Sequence, residues 1–75
     1  MYDELTNKQK EMFKIIVMYI EENKISPTIR ELGEIMGHSS TSTTYGIITG
    51  LEKRGFISRK KGLPRSIKIE IWINE

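Results

Sequence analysis

Ser39-Ser40-Thr41-Ser42-Thr43-Thr44-Tyr45-Gly46 is the stretch on which the reading of this chain turns. A run of hydroxyl side chains followed by one phenol makes a poor core, but it is a dense surface of groups that both donate and accept hydrogen bonds. Directly after it the pattern becomes amphipathic. Thr44, Ile48 and Leu51 recur at four- and three-residue steps with Ile47 alongside, so one face of a helix over 41–54 can bury while Ser42, Thr43, Tyr45, Gly46 and Thr49 look outward. Gly55 stops it. Such a helix presents its polar opening to a partner; the alternative is a flexible Ser/Thr loop ahead of a short helix.

Upstream, two capping-box spacings mark two more helix starts. In Thr28-Ile29-Arg30-Glu31 the hydroxyl takes an orphan amide and the carboxylate reaches back, and Pro27 just before it forces Ser26 into extended backbone. The helix predicted over 28–36 carries Ile29, Leu32, Ile35 and Met36 and closes at Gly37, which tolerates a left-handed conformation. Gly33 inside it costs about 1 kcal/mol relative to alanine, a cost that close approach of another helix would explain. Thr6-Asn7-Lys8-Gln9 repeats the box and opens a helix over 7–23, with Phe13, Ile16, Val17 and Ile20 as its core stripe. Met12, Ile15, Met18 and Tyr19 widen that apolar girth enough for a second contact surface. Residues 1–5 read as a short tail ending in Leu5, and a short helix, a tight Gly37-His38 turn and a further helix make the helix-turn-helix pattern.

Downstream of Gly55 the period changes from helical to alternating. Residues 56–59 and 66–73 read as two strands, with Lys60-Lys61-Gly62-Leu63-Pro64-Arg65 as the hairpin loop, Ile67, Ile69, Ile71 and Ile73 on one face, and Lys68, Glu70 and Trp72 on the other. The fold class expected is α+β, mainly α: three helices followed by a two-stranded hairpin, or wing.

Composition narrows the function. Seventy-five residues make one domain with a modest core, and the absence of cysteine removes disulfides, thiolate metal sites and thiol nucleophiles. The longest apolar run, Ile15 to Ile20, is far short of the roughly 20 residues that span a bilayer, and the acidic N-terminus is not a signal start, so a cytoplasmic protein is expected. Net charge is only +2, but its distribution is uneven: residues 1–35 hold seven acids and five bases, whereas 53–69 hold seven bases and no acid. One end of the molecule should be electropositive. A single histidine, His38, and carboxylates scattered over helix surfaces leave no catalytic cluster, and no phosphate-binding glycine motif or metal-ligand spacing occurs. We therefore expect no enzyme, no cofactor and no small-molecule ligand.

With these pieces in order, the chain resembles the N-terminal winged helix-turn-helix domain of LexA-type bacterial repressors over roughly residues 5–70. The resemblance rests on Leu5-Thr6-Asn7-Lys8-Gln9, Ser26-Pro27-Thr28-Ile29-Arg30-Glu31-Leu32, Gly37 with the Ser/Thr-rich start that follows, Leu51-Glu52-Lys53-Arg54-Gly55-Phe56-Ile57-Ser58-Arg59, and Pro64-Arg65-Ser66-Ile67. It implies a third helix lying in the DNA major groove and a wing on the backbone. Carried over by position, it puts Ser40, Ser42, Thr43, Tyr45 and Gly46 at base edges, and the wing bases at phosphates. Full repressors of that family continue into a self-cleaving domain with a Ser/Lys dyad, which these residues do not supply, so no self-cleavage is expected of them.

The partner expected is double-stranded DNA, in a bacterial or phage transcription regulator associated with the nucleoid. Thr28, Ser39, Thr49, Arg54, Arg59, Lys60, Lys61 and Arg65 are the backbone-contact candidates, because positioning contacts need charge and reach more than base-specific geometry. Ile71, Trp72 and Ile73 continue strand alternation where a polar hinge would be expected, which marks them as candidates for pairing two copies as a homodimer on a palindromic site. The competing function is a protein-interaction factor that docks on another repressor or on RNA polymerase through Met12, Ile15 and Tyr19.

Overall fold

The structure, a computed structural model, describes residues 2–72. Three helices, α1 (Asn7–Asn23), α2 (Ile29–Met36) and α3 (Thr41–Lys53), are followed by an antiparallel pair of strands, β1 (Ile57–Ser58) and β2 (Lys68–Ile69). The sequence sets the helix boundaries locally. Both capping boxes form: Thr6 with Gln9, and Thr28 with Glu31. Thr28 is therefore the cap of α2 and not its first helical residue, and Arg54 caps the C-terminus of α3. Ser40 opens α3 by accepting the Ser42 amide at 3.2 Å. Gly37 closes α2 at φ +76°, and there the His38 amide bonds back to the Gly33 carbonyl at 2.8 Å.

The core lies where α1, α2 and α3 meet the hairpin. Met12 and Ile16 from α1, Leu32 from α2, Ile48 and Leu51 from α3, and Ile57 from β1 are at most 2% exposed. Each such burial contributes about 1.5–3 kcal/mol. Tyr2, Phe13 and Phe56 add an aromatic cluster, with the Phe13 and Phe56 rings edge to face at 5.4 Å.

Three expectations are corrected here. Residues 2–5 are more than a short tail: Tyr2–Glu4 form a turn of 3-10 helix that sets Tyr2 against Phe13 and Phe56, and Leu5 is buried. Met12 is fully buried in the core, so it offers nothing to an outside partner. The strands are shorter than 56–59 and 66–73, because the hairpin's amides find partners outside the ladder. The Lys60 amide goes to Ser66 Oγ (2.9 Å) where a longer ladder would have used it, and at the other end the Glu70 and Ile71 amides share the Phe56 carbonyl; the Ile67 amide, facing away from β1, goes to Ser26 Oγ (2.9 Å). The alternation nevertheless survives: Ile67 and Ile69 are buried, Ile71 packs half-buried on the core, Lys68, Glu70 and Trp72 are exposed, and Ile73 lies outside the described residues.

Candidate nucleic-acid interface

What sets α3 on the surface is its contact with α2. Thr44 is completely buried, and its hydroxyl lies 2.7 Å from His38 Nδ1. A Cβ built on Gly33 would stand 2.8 Å from that same Thr44 oxygen, so only glycine lets the helices approach this closely. With Thr44, Ile48 and Leu51 turned inward, helical periodicity carries Ser42, Thr43, Tyr45 and Gly46 to the surface, and all four are exposed together with Ser39 and Ser40. Thr49 departs from the expectation. Its hydroxyl oxygen is buried and has no hydrogen-bond partner, so it does not offer an outward contact.

The basic residues that read as one cluster in the sequence separate into two groups. Arg65 is tied down at the root of the hairpin: its two terminal nitrogens meet Glu31 Oε1 and Oε2 at 2.9 and 2.8 Å, and Nη1 also reaches the Ser26 carbonyl at 2.9 Å. Tyr19 donates to the same Glu31 carboxylate at 3.1 Å. The Arg65 fork, the Thr28 amide and the Tyr19 hydroxyl together hold the Glu31 carboxyl down from 4.5 to about 2, and Glu31 in turn holds Arg65 above its ordinary value. Arg59 lies over the Tyr45 ring, 4.7 Å from its centroid, and donates through Nε to Glu52 at 3.2 Å. The Tyr45 phenol, and secondarily the Glu52 carboxylate, keep its guanidinium above its ordinary pKa against the opposing effect of burial.

The remaining cations stay in water. None of the four ion pairs among the described residues involves Lys53, Arg54, Lys60 or Lys61, and all four side chains are exposed. Lys60 and Lys61 occupy a tight turn closed by the Leu63 amide on the Lys60 carbonyl. Between that hairpin tip and the start of α2 runs an open cleft of about 380 Å³, lined among others by Thr28, Arg30, Leu63 and Pro64. Arg30 also lines a second cleft, shared with Ser39, Ser40 and Thr41 at the start of α3. It thus stands between the wing and the third helix. Its only counter-ion among the described residues is Glu34 at 4.0 Å, with both side chains at least 70% exposed, a pair that holds it weakly. Sequence reasoning passed over Arg30, whose one local signal is its place in the first turn after the Thr28 cap.

Through Arg30 the cleft at the hairpin adjoins the cleft at the polar start of α3, and the comparisons with known proteins bear on what this side of the molecule is. A family model described as the LexA DNA binding domain matches residues 2–66. The LexA repressor of Caldicellulosiruptor saccharolyticus is 44% identical over 69 residues, covering 92% of this chain and 34% of that protein. The LexA repressor of Staphylococcus aureus is 38% identical over 66 residues, covering 88% of this chain and 32% of its own length. The chain spans about a third of the length of these relatives, and the family match over 2–66 includes this chain's two capping boxes and its Gly37 turn. It belongs to the LexA DNA binding domain family.

Proposed function

We propose that this chain is a sequence-specific double-stranded DNA-binding module of a bacterial or phage transcriptional repressor, inserting α3 into the major groove and setting the wing on the sugar-phosphate backbone. The observation that carries the reading is the exposed surface of Ser40, Ser42, Thr43, Tyr45 and Gly46 beside the untied cations of the hairpin tip. Hydroxyls and a phenol at a helix start match the donor and acceptor edges of base pairs. Lys60, Lys61, Arg54 and Arg30 supply sequence-independent attraction, and Ser39 and the half-buried Thr28 lie at the edges of the same surface.

One such domain covers one half-site, so two copies on a palindrome, with the exposed Trp72 beside the strand end, complete the reading. Docking on a protein partner is less well supported. With Met12 in the core, its surface reduces to a shallow groove among Ile15, Met18, Tyr19 and Ile35.

Selection of bound sites from random duplexes tests the proposal and reports half-site spacing at the same time. We expect Thr43→Ala or Tyr45→Ala to relax preference at one or two base pairs by about 1–3 kcal/mol while the fold persists. Unchanged discrimination between the selected site and scrambled DNA in both variants would remove α3 as the reading element.

A further inference from the structure

We infer that Arg59 is a positioning residue: it fixes the orientation of the Tyr45 ring and thereby the base preference at the step Tyr45 reads, without itself touching DNA. The inference rests on α3 being the reading helix. Arg59 follows directly on β1, whereas Tyr45 and Glu52 lie seven residues apart on α3, two turns along one face. The single guanidinium spans both, with Nε on Glu52 Oε1 at 3.2 Å and Cζ over the phenol ring, 4.7 Å from its centroid.

Exposure separates this arginine from a phosphate contact. The Arg59 side chain is only 13% exposed, whereas the Tyr45 residue it covers keeps 43% of its surface in water. A guanidinium turned down onto α3 has little reach left for a phosphate, and a ring covered on one side has the other side to present. Arginine suits this role because its planar, always-charged group can stack on an aromatic face and donate in the plane to a carboxylate at the same time; a lysine ammonium cannot. A tyrosine has two side-chain torsions, and fixing them before DNA arrives removes an ordering cost from binding. The gain goes mainly to discrimination, because a ring held in one orientation meets the wrong base with a misplaced edge and cannot swing aside.

The test uses the full chain, with the selected duplex, all its single-base variants and random duplex in competition, for Tyr45→Ala, Arg59→Lys, Arg59→Met and the double variant Tyr45→Ala/Arg59→Met. Methionine keeps much of the apolar stem, and lysine keeps charge and reach. We expect both Arg59 variants to lose about threefold to tenfold discrimination at the base pair where Tyr45→Ala loses it. Other positions, affinity for random duplex and the slope of log affinity against log salt should be unchanged, and the double variant should match Tyr45→Ala. The Tyr45 ring resonances should shift in free Arg59→Lys, with thermal melting confirming the fold; if Arg59→Met does not fold, Arg59→Lys decides.

The inference is overturned if Arg59→Met weakens all duplexes equally, with a slope smaller by about 0.9, and lysine restores both, because Arg59 would then be a phosphate contact. A Tyr45→Ala variant that loses discrimination while both Arg59 variants keep it defeats the inference alone. Unaltered discrimination in Tyr45→Ala defeats the reading of α3 along with it.

Discussion

The turn before α3 and the wing after it flank the same helix, yet different physics holds them. At the turn, Gly33, Thr44 and His38 are in close contact: Thr44 is wholly buried, its hydroxyl is bonded, and the glycine has no room for a methyl group. At the wing Ile57, Ile67 and Ile69 anchor the strands in the core, but the ladder is two residues long and the rest of the hairpin hangs on Arg65 with Glu31, Arg59 with Glu52, and the hydroxyls of Ser26 and Ser66, while Lys60, Lys61 and Leu63 stand in water. Close packing tolerates almost no displacement, whereas partly exposed ionic hydrogen bonds weaken by degrees with pH and salt. The turn therefore sets where α3 sits. The wing sets how firmly the surface around α3 is completed.

The largest effect we expect comes from breaking the tight side. Gly33→Ala must either push the Thr44 hydroxyl off His38 or part α2 from α3, at about 1–3 kcal/mol for overpacking plus about 1 kcal/mol for the hydrogen bond. The better helix propensity of alanine returns about 1 kcal/mol, leaving a net loss of about 1–3 kcal/mol in urea unfolding. Gly46, with open space where its Cβ would lie, is the control: Gly46→Ala should gain about 0.5–1 kcal/mol. Equal stability of Gly33→Ala and the wild type would mean that the turn is as compliant as the wing.

The same division decided what the sequence could reveal. The helix ends were legible because each is a local event: Thr6 with Gln9 and Thr28 with Glu31 lie three residues apart, and the residue that closes α2 is the next one after it. Burial on α3 was legible for Thr44, Ile48 and Leu51, because periodicity alone places them, but not for the Thr49 hydroxyl, which its surroundings enclose. The fate of the basic cluster was not legible. Arg65 finds Glu31 across 34 residues, and nothing in 53–69 distinguishes an arginine that will be tied from a lysine that will not. Strand length was not legible either, because the Ser66 hydroxyl takes the Lys60 amide that a longer ladder would have used, and alternation does not report such a side-chain partner.

At the loose side the expected effect is intermediate and appears in binding, not in folding. Lys60→Ala/Lys61→Ala removes two untied charges from the hairpin tip. Affinity should fall about tenfold for specific and random duplex alike, and the slope of log affinity against log salt should shrink by about 1.8. Arg65→Ala should leave that slope alone, because its guanidinium is turned onto Glu31. Fluorescence titrations at several salt concentrations measure all three slopes. A wild-type slope in the double lysine variant would show that the tip does not reach phosphate.

The smallest effect tests whether the root of the wing is truly an ionic latch. Glu31 accepts the Thr28 amide at 2.9 Å as the second member of the capping box of α2 and also receives both prongs of Arg65, so removing the side chain outright would confuse two roles. Glu31→Gln separates them, because glutamine serves at this position of a capping box but carries no charge. The sign follows from the carboxyl being held at about 2 in the folded chain against 4.5 ordinarily. A lowered folded-state value gives stability that is present above about pH 4.5 and lost as pH falls toward about 2, where the wild-type carboxyl also becomes neutral. The other carboxylates titrate in both proteins, so the difference between the two urea midpoints isolates this group. We expect a modest gap in favour of the wild type at neutral pH, because water and salt screen a pair whose side chains are 42% and 31% exposed. That gap should close steadily as pH falls through the interval below 4.5. A gap that stays constant from neutral to about pH 3 would mean that Glu31 acts by shape and hydrogen bonding alone, and the wing would then be fixed by packing much as the turn is.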